Sequence, residues 1–205
     1  ISFGDLARKV HGGRVSLSST GFYSTPKITW DRPNGRGNPF FYFAYGAAVT
    51  EVVIDRLTGE NRILRADLLH DTGTSLNPAL DIGQVEGAYV QGAGWLTTEE
   101  LVWDGKGRLA THAPSTYKIP TAGDRPREMT VKLFERGVNS EDTIFRSKAV
   151  GEPPLMLANA VHAALTDAVN ALAPERTLVP LDAPATPECV LMAVERVKAE
   201  AKRAP

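Results

Sequence analysis

Residues 40–71 have the sequence FFYFAYGAAVTEVVIDRLTGENRILRADLLHD, which decides the fold expected for the chain. Aromatic and β-branched residues lie on both sides of DRLTGEN, a segment of turn-forming residues with Gly59 near its centre. Two such runs joined by a short turn are typical of antiparallel strands. The pattern therefore predicts a β-hairpin with strands Tyr45 to Asp55 and Asn61 to His70.

A glycine-containing helix is predicted to follow the hairpin. Asn77 supplies a capping side chain and Pro78 suits the first helical position, so we expect a helix over 78–101. Each of its four glycines costs ~1 kcal/mol relative to alanine inside a helix. These glycines are Gly83, Gly87, Gly92 and Gly94. Two explanations stay open at this point: an interrupted helix, or close approach of another backbone or a bound ligand.

The remaining apolar patterns complete an α+β fold. Alternating apolar residues predict a strand over 129–135, and the run TIFRSKAV predicts another over 143–150. Apolar residues at helical spacing predict helices over 5–10, 154–172 and 187–202. We expect a mixed or antiparallel sheet built from the hairpin and both strands, with helices 78–101 and 154–172 packed on it. The last helix is expected to be peripheral, and residues 14–39 to be mostly loop.

Composition narrows the functional class. The 205 residues include 23 basic and 24 acidic side chains, so a nucleic acid or an anionic membrane surface is not expected as the main partner. A single cysteine, Cys189, excludes an internal disulfide framework and favours a reducing compartment, with the cytoplasm as the expected location. Ile1 opens a segment that resembles the interior of a protein, so we expect an excerpt of a longer chain or a processed product.

Most candidate catalytic groups have plain structural explanations. The sequence contains no nucleophile elbow, phosphate-binding loop, zinc-protease motif or dinucleotide-binding glycine turn. The four histidines are widely separated, and each is expected to be either hydrogen-bonded or exposed; they are His11, His70, His112 and His162. Ser75, Thr74 and Asp71 follow His70 closely, but a helix-capping loop explains them better than a hydrolase site.

Glu152 is the exception, because it lies in the stretch SKAVGEPPLML at 147–157. Pro153 and Pro154 fix the backbone after it and remove two amide donors. The helix dipole favours the charged carboxylate, whereas an apolar pocket would favour the neutral acid, so an acid held there can serve as a general base. Position alone leaves a second explanation open, that Glu152 is only an acid at a helix start.

Several longer motifs, in the same order along the chain, resemble one family. DTGTSLNPALDIGQVEGAYVQGAGWLTTEEL at 71–101, PSTYKIP at 114–120 and SKAVGEPPL at 147–155 resemble the C-terminal part of the molybdenum-binding subunit or domain of xanthine dehydrogenases. RVSLSSTGFYSTP at 14–26, the hairpin segment and LDAPATPE at 181–188 are also similar to that family. TGFYSTP resembles the xanthine branch more than the aldehyde oxidase branch.

The resemblance implies a molybdenum hydroxylase reaction, in which an oxygen on the metal attacks an electron-poor purine carbon. It implies that Glu152 is the catalytic glutamate that takes a proton as this nucleophile forms. It also places Gln84, Gly83 and Gly151 at the molybdenum–molybdopterin cofactor, with no protein side chain bound directly to the metal. Glycines at 83 and 87 would let a large cofactor approach the helix.

The resemblance also implies partners that lie outside the chain. The family's other cofactor-binding and purine-binding segments would come from the remainder of the molybdenum-binding subunit, and FAD and 2Fe-2S clusters from other domains or subunits. We expect residues 1–40 to form a loop-rich arm, 41–175 an α+β core, and 176–205 a linker and helix. We further expect that the chain alone binds no cofactor stably and is inactive. Two alternatives stay open: an aldehyde oxidase-type hydroxylase, or a non-catalytic structural or interaction module when the chain is isolated.

Overall fold

A computed structural model describes residues 1–173 and 178–201, and it divides the chain into one unit of Ile1–Phe41 and a second beginning at Tyr42. The predicted α+β class is confirmed. The helices are α1 (Phe3–Gly12), α2 (Pro78–Thr97), α3 (Asn159–Asn170) and α4 (Pro187–Ala201). The strands are β1 (Thr29–Asp31), β2 (Arg36–Asn38), β3 (Gly46–Ile54), β4 (Asn61–His70) and β5 (Glu128–Leu133). Two short 3₁₀ segments cover Ile144–Arg146 and Pro153–Ala158.

The first unit is small and has an exposed helix. In α1, which confirms the helix predicted over 5–10, the Ser2 hydroxyl accepts a hydrogen bond from the Asp5 amide at 3.2 Å, and the helix buries none of its residues. The segment predicted to be loop contains one short antiparallel pair, β1 with β2. Their turn is closed by the Asn34 side chain, which donates to Asp31 at 2.7 Å.

The second unit is organised around the predicted hairpin. β3 and β4 pair antiparallel from Gly46–His70 to Ile54–Asn61, with an irregularity after Glu51, so the hairpin is confirmed. β5, predicted over 129–135, pairs with β4 in parallel and completes a three-stranded mixed sheet in the order β3-β4-β5. β4 is therefore the central strand, and its end at His70 lies between its two neighbours.

Helices α2, α3 and α4 share one apolar core with the sheet. Fully buried side chains come from β4, from all three helices and from the 179–185 segment: Ala66, Val85, Tyr89, Val161, Leu165, Val169, Ala185, Val190, Val194 and Val197. The Tyr89 hydroxyl lies 2.7 Å from the Thr50 hydroxyl, which ties α2 to β3. Burial at this position raises the pKa of Tyr89.

Two predictions about this unit are wrong. No strand forms over 143–150, because Phe145 and Arg146 have φ of 51° and 60° and the Thr143 hydroxyl bonds to the Ser147 carbonyl at 2.6 Å. These contacts close a tight loop that no strand can contain. The last helix is not peripheral, since Val190, Val194 and Val197 are fully buried. Its predicted last residue, 202, lies outside the described residues.

The helix predicted over 154–172 starts later than expected. Residues Pro153–Ala158 are 3₁₀, and the α-helix runs only over Asn159–Asn170. Two consecutive prolines remove amide donors from the first turn, and the Leu155 amide instead bonds three residues back to the Glu152 carbonyl at 3.0 Å. α2 likewise ends at Thr97 rather than 101, because the amides of Thr98 and Glu99 both bond to the Gly94 carbonyl.

The glycines of α2 divide into two groups. The helix is continuous, so the interruption explanation is wrong. A Cβ at Gly92 would lie 2.7 Å from both the Ala158 Cβ and the Leu155 carbonyl oxygen, so close backbone approach accounts for this glycine. A Cβ at Gly83 or Gly87 would meet nothing within 4 Å.

We expect Gly92→Ala to destabilise the chain by about 1–3 kcal/mol, because the added methyl overpacks the contact between α2 and Pro153–Ala158. Gly87→Ala is the matched control in the same helix. It is expected to raise the free energy of unfolding by up to about 1 kcal/mol through helix propensity alone. Urea denaturation of both variants measures this; equal free energies of unfolding would contradict the packing explanation.

Candidate functional site

Glu152 lies on the surface of the second unit with its backbone held on both sides. Its side chain is exposed and makes no hydrogen bond or ion pair with any residue in 1–173 or 178–201. The backbone that follows it is fixed by Pro153 and by the buried Pro154. Glu152 is at the N-cap position of the 3₁₀ segment but its side chain caps no amide, so both explanations of this acid, a general base or an acid at a helix start, stay open.

The segment before Glu152 is tied to the end of β4. The Lys148 ammonium lies 2.6 Å from the Asp71 carboxylate, with only 7% and 12% of these side chains exposed. The Lys148 amide also donates to the Thr72 carbonyl at 2.8 Å, and Gly73 forms an isolated antiparallel bridge with Ser147. An ion pair and backbone hydrogen bonds therefore join the loop after β4, residues 71–73, to residues 147–148, which precede Glu152.

Gly73 is required where these two segments meet. Its φ is +61°, a left-handed conformation that glycine adopts without strain. A Cβ at this position would also collide with the carbonyl oxygen of Arg146. The Thr74 amide bonds to the same carbonyl at 3.0 Å.

Gln84, the second predicted site residue, lies on the open face of α2. Gln84 and its neighbour Gly83 are exposed, and Asn77 caps the helix start with a bond to the Leu80 amide at 3.3 Å. The same helix packs on Leu155 and Ala158 through Gly92, eight residues further along, or about 12 Å along the helix axis. The structure thus places α2 beside the segment that begins at Glu152, while Gly151 and Gly83 both face open space.

The prediction that each histidine is hydrogen-bonded or exposed is wrong for His70, and the buried Nε2 of His162 likewise has no partner among the described residues. His70 is 1% exposed, and neither ring nitrogen has a hydrogen-bond partner among the described residues. A Cβ at Gly46 would lie 3.0 Å from the His70 Nδ1 and 2.8 Å from the Leu157 Cδ2, so the ring packs tightly where β3 meets the Pro153–Ala158 segment. Burial lowers the pKa of His70, and its charged neighbours are Asp71, Lys148 and Asp81.

The structure does not support a hydrolase site at Ser75, and it shows no metal site or membrane span among the described residues. The Ser75 hydroxyl donates a hydrogen bond to the Asp81 carboxylate and not to His70. Ser75 and His70 therefore do not form the nucleophile and base of a hydrolase. Within residues 1–173 and 178–201, no three His, Cys, Asp or Glu side chains are grouped to hold a metal ion. The helices of the same ranges include none with the length and hydropathy of a membrane span.

A cleft of about 720 Å³ lies elsewhere, lined by the hairpin turn, the C-terminal half of α2 and residues 120–127. Its lining includes neither Glu152 nor Gln84. Glu152 and Gln84 are both exposed, so the candidate site lies on the open surface of the second unit.

Comparison with known proteins gives a consistent result. The profile of a family described as molybdopterin cofactor-binding domain matches residues 1–126, a range that includes Gln84 but not Glu152. Xanthine dehydrogenase/oxidase of Rattus norvegicus is 51% identical over 179 residues, which cover 85% of this chain and 13% of that protein. Xanthine dehydrogenase of Oryza sativa subsp. japonica is 45% identical over 202 residues, covering 94% of this chain and 15% of that protein.

Solved structures share the fold. An aldehyde oxidoreductase from Desulfovibrio gigas superposes with a TM-score of 0.67 at 26% identity, over 92% of this chain and 20% of the other. Quinoline 2-oxidoreductase from Pseudomonas putida gives 0.61 at 30% identity, over 71% of this chain and 18% of the other. The chain spans only 13% to 15% of the length of the two curated relatives above.

The buried His70 predicts a pH-dependent stability. Its ordinary pKa is 6.5 and burial lowers it, so below pH 6.5 the unfolded chain binds a proton that the folded chain does not. As the pH is lowered below 6.5, the free energy of unfolding should therefore decrease by up to about 1.4 kcal/mol per pH unit. The decrease should end when the pH reaches the pKa of His70 in the folded chain. His70→Met should remove this contribution in urea denaturation measured from pH 7 to pH 5.

The exposed His112 provides the control. His112→Met is expected to leave the slope of stability against pH unchanged. A wild-type slope that survives in His70→Met would show that another group causes it.

Proposed function

Because the chain belongs to the molybdopterin cofactor-binding domain family, we propose that it is the C-terminal portion of the molybdenum-binding part of a purine hydroxylase. The complete enzyme would oxidise hypoxanthine and xanthine to urate. The resemblance to xanthine dehydrogenases is confirmed by relatives that are 51% and 45% identical over most of the chain. The substrate and the roles of individual residues are part of the proposal.

The observation that carries the proposal is that the Glu152 side chain is exposed and unpaired while its backbone is held in place. Its carboxylate is exposed and makes no bond within the described residues, while the backbone on both sides is fixed by prolines and by the Lys148 anchor. A general base must be free to accept a proton in a fixed position. This arrangement supports Glu152 as the catalytic base.

The exposed start of α2 and Gly151 fit a bulky anionic cofactor. Gly83, Gly87 and Gly151 have open space where a side chain would project, so a large group can approach the backbone. Gln84 is exposed and uncharged, with two donors and an acceptor oxygen, and it can bind an anionic group without adding negative charge. In this proposal Gln84, Gly83 and Gly151 contact molybdenum–molybdopterin, which when bound supplies the oxidising centre of the hydroxylation.

The chain's own residues then have separate tasks. Glu152 accepts the proton released as the attacking nucleophile forms. Gln84 orients the cofactor by hydrogen bonds from its amide. The glycines keep side chains out of the space that the cofactor needs. Residues 1–40 would form the arm, 41–175 the core, and 176–205 the linker and helix; the last boundary lies outside the described residues.

The exposed apolar side chains support partners beyond this chain. Leu76, Leu80 and Trp95 project from α2 and the loop before it, with 61%, 66% and 48% exposure. Such a surface is typical of an interface. The proposed partner is the remainder of the molybdenum-binding subunit, with FAD and 2Fe-2S on other domains; the single cysteine favours the cytoplasm. An isolated chain would then be a non-catalytic interaction module.

Glu152→Gln in the complete enzyme is expected to lower turnover by at least about 10²-fold, because the amide cannot accept the proton. Molybdenum and pterin content should be unchanged. Steady-state kinetics together with metal analysis measure both quantities.

Glu188→Gln is the matched control, since Glu188 is also an exposed acid next to a proline at a helix start. It should retain normal turnover. Near-normal turnover of Glu152→Gln would overturn the assignment of the base. Assays of the wild type with hypoxanthine and with an aromatic aldehyde separate the two substrate classes, and faster turnover of hypoxanthine is expected.

Gln84→Ala is expected to weaken cofactor binding about tenfold or more, through loss of a hydrogen bond to a charged group. Gln91→Ala, an exposed glutamine seven residues along the same helix, should retain the wild-type cofactor content. Molybdenum and pterin analysis after dialysis measures both. Equal loss in the two variants would contradict a specific contact at Gln84.

A further inference from the structure

The ion pair between Lys148 and Asp71 is unusual in this chain because it is buried. Five other ion pairs, those of Arg8, Arg65, Arg108, Arg146 and Lys198, each have at least one side chain that is 40% exposed or more, whereas these two side chains are 7% and 12% exposed. Their positions are 77 residues apart. A buried pair holds one geometry, since either charge without the other would be left in a poorly solvated place.

Further contacts orient both members of the pair. The second Asp71 oxygen accepts a hydrogen bond from the Gly73 amide at 2.8 Å. The Lys148 ammonium lies 5.0 Å from the centre of the Tyr45 ring, within the range of a cation–π contact. The Asp71 amide in turn donates to the Tyr45 carbonyl at 2.8 Å, so the pair is fixed to the start of the hairpin.

The anchored residue lies four positions before Glu152. Between them the Ala149 amide donates to the Tyr42 hydroxyl at 2.9 Å, which holds the connecting backbone to the same unit. Four residues of extended chain span at most about 14 Å, so the backbone of Glu152 lies within that distance of the Lys148 backbone. On the other side, Pro153 and the buried Pro154 prevent the backbone from compensating by rotation.

We propose that Asp71 and Lys148 are a positioning pair that fixes the Glu152 carboxylate at the place where it accepts a proton. The inference rests on the proposed role of Glu152 and adds two residues that touch neither substrate nor cofactor. The two charges neutralise each other, so the pair sets the position of Glu152 without adding net charge beside it. Two apolar side chains could fill the same space, but they would not define one register of residues 147–149 against residues 71–73.

The test uses the complete, cofactor-loaded enzyme carrying Lys148→Met, which keeps most of the side-chain volume and removes the charge. Hydrogen–deuterium exchange of the amides in residues 147–152 should speed up about tenfold or more, because the anchor is lost. Turnover should fall about 10- to 100-fold, with KM changed less than about threefold, because displacement of the base affects the chemical step.

Lys198→Met is the matched control, because Lys198 forms an ion pair of nearly the same length, 2.7 Å, with the exposed Glu195. It should leave both turnover and exchange at 147–152 unchanged. Lys148→Met placed in a Glu152→Gln background should cost no more than about a further twofold in turnover, since a positioning residue has no effect when the base is absent.

The double variant Asp71→Asn with Lys148→Met covers the case in which the single variant fails to fold. It leaves no unpaired charge buried, so its melting temperature should exceed that of Lys148→Met, while exchange stays fast and turnover stays low. Unchanged exchange and turnover in Lys148→Met would overturn the inference, as would full turnover in the double variant. Failure of the proposed function can be distinguished from failure of this inference. If Glu152 is not the base, Glu152→Gln will have normal turnover, whatever the hydrogen–deuterium exchange of residues 147–152 shows.

Discussion

A buried ion pair joins the two halves of the candidate site. Asp71 directly follows the central strand β4, and Lys148 directly precedes the stretch that leads to Glu152. The loop after Asp71 continues to Asn77, which caps α2, the helix that carries Gln84. The 2.6 Å contact between Lys148 and Asp71 therefore links three parts of the chain: the end of β4, the loop that leads to α2, and the segment that precedes Glu152. Removal of either charge would disturb all three together.

The parts of the fold that the sequence predicts are those with local causes. The hairpin follows from aromatic and β-branched runs on both sides of a turn at Gly59, and α2 follows from an Asn-Pro start. The 143–150 strand was predicted from local β-propensity, but the contacts of Thr143 and Asn139 with Ser147 impose a loop with two left-handed residues. The burial of α4 depends on the core formed by α3 and β4, which its own sequence does not reveal.

The candidate site likewise combines residues that local motifs predict with residues that only the packed structure reveals. Glu152 and Gln84 were found through motifs, and the structure adds that both are exposed and that α2 packs beside the segment beginning at Glu152. Asp71 and Lys148 were missed because nothing in a single sequence relates residues so far apart. Locally, Lys148 stands out only as a charged residue in the motif that leads to Glu152. The burial of His70 without a hydrogen-bond partner is a property of the packed structure alone, so the sequence does not predict it.

The sheet has a further consequence for how this chain behaves when it is made. β3 is an outer strand, and Val49 and Val53 on its outward face are 71% and 47% exposed. An outer strand with uncovered valines is a template on which a strand of another molecule can add. Addition of this kind would make the chain prone to aggregate wherever β3 is left uncovered, so conditions that keep β3 exposed should lower the yield of dispersed protein.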